Sequence, residues 1–191
     1  MRTAIVLCTI VLAVVAAALS GCESKAERGK PSRTAGEESN DVDTVIDQAL
    51  ARGADIPRSK RNLVVRMLCL NEKDLILGLR TFADLSGGRY PRSLDTQSTL
   101  RQIETDQLGS SMPELSESWK EQMVQDIFFA CAFSEKLRRD GRGIQYYGDT
   151  VGRQDAEKLL AWWTESKGRY RVVLGDLTLH SLTTEQLAAL Q

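Results

Sequence analysis

Four cysteines and a single histidine are the scarce reactive side chains of this 191-residue chain. Cys69 and Cys131 lie in apolar runs, Leu68-Cys69-Leu70 and Phe129-Ala130-Cys131-Ala132-Phe133. No Cys-x-x-Cys spacing occurs, and apolar surroundings disfavour the thiolate, so a redox-active pair is not expected. Two such cysteines can form a disulfide. The bridge would close a loop of about sixty residues and restrict the unfolded chain by ~4 kcal/mol, given Cα atoms within about 7 Å. The alternative is two thiols packed as small apolar side chains. His180 stands beside Ser181, but neighbours on a strand point to opposite faces, which does not make a nucleophile–base couple. Asp149 and Asp176 follow short strand-like runs. Two carboxylates at strand ends suit acid/base work or calcium, yet an aspartate beside glycine is ordinary turn chemistry. No D-x-D-x-D loop or glycine-rich phosphate cradle is present. No catalytic residue, metal or cofactor is assigned on these grounds.

Composition narrows the classes further. The chain is 42% hydrophobic and 27% charged, with net charge −1, as an ordinary globular domain is. A near-neutral chain without a basic stripe gives no case for nucleic acid. One histidine excludes His-rich zinc sites. Trp119, Trp162 and Trp163 are of the type that stacks on sugars, whereas adjacent tryptophans on a short helix place one in the core and one half-exposed.

The start of the chain carries the strongest pattern. Arg2 precedes an uncharged apolar run at 4–19, and Ser20, Gly21 and Cys22 follow. A positive start, an apolar stretch and small residues at a cut site form an export signal. Sixteen apolar residues fall short of the ~20 that span a bilayer. Leu19-Ser20-Gly21-Cys22 resembles the lipobox of bacterial lipoproteins. The resemblance implies a diacylglycerol on the Cys22 thiol, removal of residues 1–21 and acylation of the new amine. Two or more acyl chains give a lasting anchor where one does not. Cleavage would leave 170 residues and take away Arg2, moving the net charge to −2. Glu23 stands where that family uses Asp to retain a protein in the inner membrane, which points to the outer membrane.

Residues 23–41 contain no Val, Ile, Leu, Phe, Tyr or Trp. Such a segment buries too little apolar surface to offset its ordering entropy, so 22–41 is expected to be a flexible tether. A single domain is expected over 42–191. Helical spacing predicts helices at 42–52 and 59–85, the latter stopped by Gly87-Gly88, with Tyr90-Pro91 extended behind it. Asp95 should cap a helix over 96–108 that stops at Gly109, and Ser118 with Glu121 forms a capping box opening the next, which runs to the Gly141–Gly143 break. Residues 143–148 and 170–174 read as strands, with a further strand at 177–180 and an Asp155-capped helix AEKLLAWW between the first two. Thr183 and Gln186 open a last short helix. The expected fold class is α+β, mostly helical with a small C-terminal sheet.

Two further stretches look familiar. Residues 66–94 resemble the segment behind the N-terminal helix of type IV pilin-like and type II secretion pseudopilin-like proteins, through Leu79, Gly87, Gly88, Tyr90, Pro91, Ser93 and Leu94. The chain departs from them at its start, where a lipobox and a polar segment replace the prepilin site. Residues 144–190 are similar to the C-terminal end of uncharacterised bacterial envelope proteins with a YYG…YRVIFGDL-type pattern, which implies no activity. The expected role is non-enzymatic: contact with an envelope protein, or a structural part. The rivals are a peptidoglycan or glycan binding module and a small hydrolase using Asp149 and Asp176.

Overall fold

The computed structural model describes residues 63, 65–108 and 116–190. Cys22, the 23–41 segment, the helix expected at 42–52 and Gly109 lie outside the described residues. The chain divides between Cys69 and Leu70, and the unit Leu70–Gln191 carries α1 to α4 and β1 to β4, described below. The start of the folded region expected near Val42 lies outside the described residues.

The helix expected without interruption over 59–85 is broken. Residues 65–68 are helical, Cys69 sits in a turn, and the chain re-enters helix at α1 (Glu72–Ser86). The break is made by Asn71. Its Oδ1 accepts from the Lys73 N–H at 2.9 Å, and Asp74 Oδ2 accepts from the Asn71 N–H at 2.9 Å, a reciprocal cap that starts a new helix. Gly87 ends α1 in the left-handed region at φ 70°.

Helix α2 (Thr96–Thr105) is capped by Asp95, which accepts from the Ser98 N–H at 2.8 Å. Helix α3 (Glu117–Arg139) starts two residues earlier than expected. Ser116 caps it, and the Ser118 hydroxyl lies 2.9 Å from that of Ser116. At ~1.5 Å per residue α3 is about 34 Å long. Residues 126–134 are all buried, more than two full turns enclosed on every side, so α3 is the axis of the unit. Leu75, Gly78, Leu79, Phe82 and Ala83 form the buried stripe of α1. Where α1 meets α3 only glycine fits. A Cβ on Gly78 would stand 2.5 Å from Ala130 Cβ and 2.5 Å from the Asp126 carbonyl oxygen. Phe82, Ile103 and Ile127 join all three helices in one apolar cluster.

The C-terminal part is an antiparallel meander of β1 (Ile144–Tyr146), β2 (Leu159–Ser166), β3 (Arg169–Leu174) and β4 (Leu179–Thr183), in spatial order β1-β2-β3-β4. Helix α4 (Thr184–Ala188) follows, with the Thr183–Gln186 capping box in place. The α+β class is thus correct, but of the helix expected over 156–163 residues 156–158 form a turn and 159–163 belong to strand β2. Asp155 does cap a backbone N–H, that of Gly152 at 3.0 Å, within a turn rather than at a helix start. Pairing on both sides overrides the helical propensity of AEKLLAWW. Trp163 lies opposite Ile144 and Arg171, and Trp162 opposite Gln145 and Val172.

The inner face of the sheet packs on α3, with the Phe133 and Trp163 rings edge to face at 5.8 Å. Arg171, on the same face, clamps α1: its Nε and Nη2 donate to Glu72 Oε1 and Oε2 at 2.8 and 2.6 Å. The segment 87–93 fastens the helices to the sheet. The buried Tyr90 donates to Gly175 O at 2.6 Å, Tyr146 donates to Pro91 O at 2.8 Å, and the Arg153 N–H donates to Gly88 O at 2.8 Å. A side chain at Gly148 would overlap the Tyr146 hydroxyl, so glycine is required there.

Candidate functional site

Strand alternation sends Trp163 inward and leaves Trp162 on the outer face of the sheet. One row across that face reads Gln145, Trp162, Val172 and His180, and the next reads Thr164, Tyr170 and Leu182. Four strands at ~4.8 Å spacing make the row about 14 Å long. Its floor is a second apolar cluster, Leu159, Val172 and Leu187 of α4, with Tyr147, Trp162, Tyr170, Leu174 and Leu182 half-buried around it. The Trp162 and Tyr170 rings meet edge to face at 5.4 Å and 84°. Gln145 and His180 are exposed at the two ends of the row. The Trp162 Nε1 is buried and has no hydrogen-bond partner among the described residues. The face offers aromatic surface, an amide, a hydroxyl and an imidazole, which are groups that hold a ligand.

The remaining candidates fall elsewhere. His180 and Ser181 point to opposite faces. His180 Nε2 is 3.1 Å from Thr178 Oγ1, and Ser181 Oγ donates to Glu165 Oε2 at 2.6 Å. Asp176 Oδ1 accepts from the Thr178 N–H at 2.9 Å and its hydroxyl at 2.6 Å, and these bonds hold its carboxyl below the usual range. Asp149 is exposed. Despite its apolar run Cys69 is exposed, in a turn, and Cys131 is buried, its Sγ 3.6 Å from Thr99 Oγ1. Both are thiols in the structure, not halves of a disulfide. Trp119 is 60% exposed on the first turn of α3. Among the described residues no helix is long and apolar enough to cross a membrane.

No family model, curated protein or solved structure matches this chain. The two short resemblances therefore have their content in what the matched residues do here. Gly87 and Gly88 both take positive φ, Tyr90 and Leu94 are buried, and Pro91 receives the Tyr146 hydroxyl, so that run is the corner joining helices to sheet. The second run supplies β1, β3 and the turn at Asp176. Sequence reasoning missed the pairing of Trp162 with Tyr170 and the roles of Gln145 and Thr164. LLAWWTES opens with five apolar residues in a row and shows no alternation of its own; only once it is a strand do 162 and 164 share a face.

Proposed function

We propose that this chain is a bacterial cell-envelope lipoprotein, anchored through lipid on Cys22, whose folded region works by contact with an envelope protein rather than by catalysis. The observation that carries the reading is Leu19-Ser20-Gly21-Cys22 directly behind a 16-residue apolar run. Glu23 after the cysteine favours the outer membrane, with the folded region facing the periplasm. Trp119, 60% exposed, is of the residue type that anchors protein interfaces and supports action by contact. Labelled fatty acid supplied to cells should enter the wild-type chain and not Cys22→Ala, which should also keep its first 21 residues. Labelling and cleavage that persist in Cys22→Ala would overturn the anchor. Crosslinking in intact cells should give an adduct that Trp119→Ala loses.

A second reading, a peptidoglycan or glycan binding module, draws on the outer sheet face, where Trp162, Tyr170 and Tyr147 gather between exposed Gln145 and His180. Co-sedimentation with sacculi, reduced by Gln145→Ala and His180→Ala, would favour it over the first.

A further inference from the structure

A groove of about 240 Å³ runs between α2 and the segment 92–93. It is below the ~300 Å³ at which drug-sized ligand sites begin, with room for a group of phosphate size. Arg92 enters from the segment and Arg101 from α2, with Ser98 and Thr105 on the same helix stripe. Both arginines are exposed, and among the described residues neither guanidinium has a hydrogen bond or an ion pair. By contrast Arg138, Arg153 and Arg171 each meet a carboxylate.

The groove is already shaped. The Arg92 N–H donates to Gln102 Oε1 at 2.9 Å, which ties the segment to the helix. The other end of that amide, Gln102 Nε2, donates to Asp106 Oδ2 at 3.3 Å, which engages one oxygen of the one carboxylate lining the groove; with two arginines against it the lining keeps a net positive charge. Ser93 Oγ accepts from the Asp95 N–H at 3.0 Å, which leaves its own proton to donate. Two forked cations and hydroxyl donors around a small open space match the oxygens of a phosphate group, to which arginine binds in bidentate fashion. We propose that this groove is an anion site for a phosphate group, and it stands independently of the lipid anchor. A phospholipid headgroup and a free phosphate share that chemistry.

The test is arginine footprinting on the full chain with phenylglyoxal, read by mass spectrometry. Arg139 and Arg169 are exposed, lie outside the groove and serve as internal controls. With a Kd of about 1 mM, inorganic phosphate at ten times that concentration should slow labelling of Arg92 and Arg101 about tenfold, leaving the controls unchanged. Chloride at equal ionic strength should not protect them. Arg101→Gln should abolish protection of Arg92, and Arg92→Gln that of Arg101. Both replace exposed side chains, so an unchanged thermal melt verifies the fold. Full chain in phosphatidylcholine vesicles with and without phosphatidylglycerol separates the sources. Protection by phosphatidylglycerol supports a headgroup ligand, and protection by inorganic phosphate alone supports a free one. Absence of protection from both, protection that extends equally to Arg139 and Arg169, or protection of Arg92 that survives Arg101→Gln overturns the site.

Discussion

Replacing Gly78 by alanine sets two effects of opposite sign against each other. Alanine is favoured over glycine inside a helix by ~1 kcal/mol, so on propensity alone Gly78→Ala should stabilise the protein. The packing says otherwise. The new Cβ would sit 2.5 Å from Ala130 Cβ and 2.5 Å from the Asp126 carbonyl oxygen, where carbon atoms prefer ~3.5–4.0 Å. Neither neighbour can rotate aside, because one is a Cβ and the other is helix backbone. Helices α1 and α3 must part by about 1 Å, loosening Leu75, Leu79 and Phe82, all at 0% exposure. Overpacking of this kind costs ~1–3 kcal/mol, and the fixed partners place it at the upper end. After the propensity gain the net loss is about 2 kcal/mol. With a urea m-value of ~2 kcal/mol/M, the unfolding midpoint should fall by about 1 M. Tryptophan fluorescence reports it, since Trp163 is fully buried. Adding Ala130→Gly removes one of the two overlaps and should give a favourable coupling energy without full recovery. A midpoint for Gly78→Ala at or above that of the wild type would refute the close approach of the two helices.

Burial raises the pKa of Tyr90 from its ordinary value of 10.0, and raises that of Tyr146 well above it. The folded state thus holds phenol protons that the unfolded chain releases, so stability is full below pH 10 and falls as pH rises beyond it. Urea midpoints measured from pH 8 upward should show that fall, and Tyr90→Phe with Tyr146→Phe should flatten it. Arg171→Lys keeps the charge and loses the two-point grip on Glu72. It should cost about 1 kcal/mol, with a smaller loss in a Glu72→Gln background, read from a double-mutant cycle in urea. Alkylation without reductant should modify Cys69 in the folded protein and Cys131 only after unfolding. A linked 69–131 peptide would refute the thiol state.

Local chemistry was legible where it was decisive. Asp95 and Thr183 cap the helices expected of them, and Gly87 stops α1, because each has a side chain or a φ that few alternatives satisfy. The cap at Asn71 was equally readable, with Asp74 three residues on, but the apolar row running past Glu72 masked it. Strand β2 was not readable from propensity, since Ala156 to Trp163 favours a helix until strands pair on both sides. The same two tryptophans nevertheless divide into one buried and one half-exposed, by strand alternation instead of helical spacing. The outer sheet face needed that alternation to be seen. The groove beside α2 depends on contact between residues 92 and 102, which no periodicity encodes.

The corner at Tyr90 also sets an order of events. The β2–β3 hairpin closes through the two residues Lys167 and Gly168, whereas the Tyr90 hydroxyl reaches Gly175 across 85 residues of chain. Closing the longer loop costs about 3 kcal/mol more in chain entropy. The meander, built only from strands adjacent in sequence, closes through short loops, the helices form from local contacts of their own, and the Tyr90–Gly175 corner joins the two afterwards. The corner is the last seam to close, and by the same reasoning the first to reopen. A chain made from its N-terminus completes α1, α2 and α3 before their anchor point at Gly175 exists, so the sheet-facing side of α3, Phe133 among it, spends that interval uncovered. The lag between those two moments is the protein's window of vulnerability to aggregation.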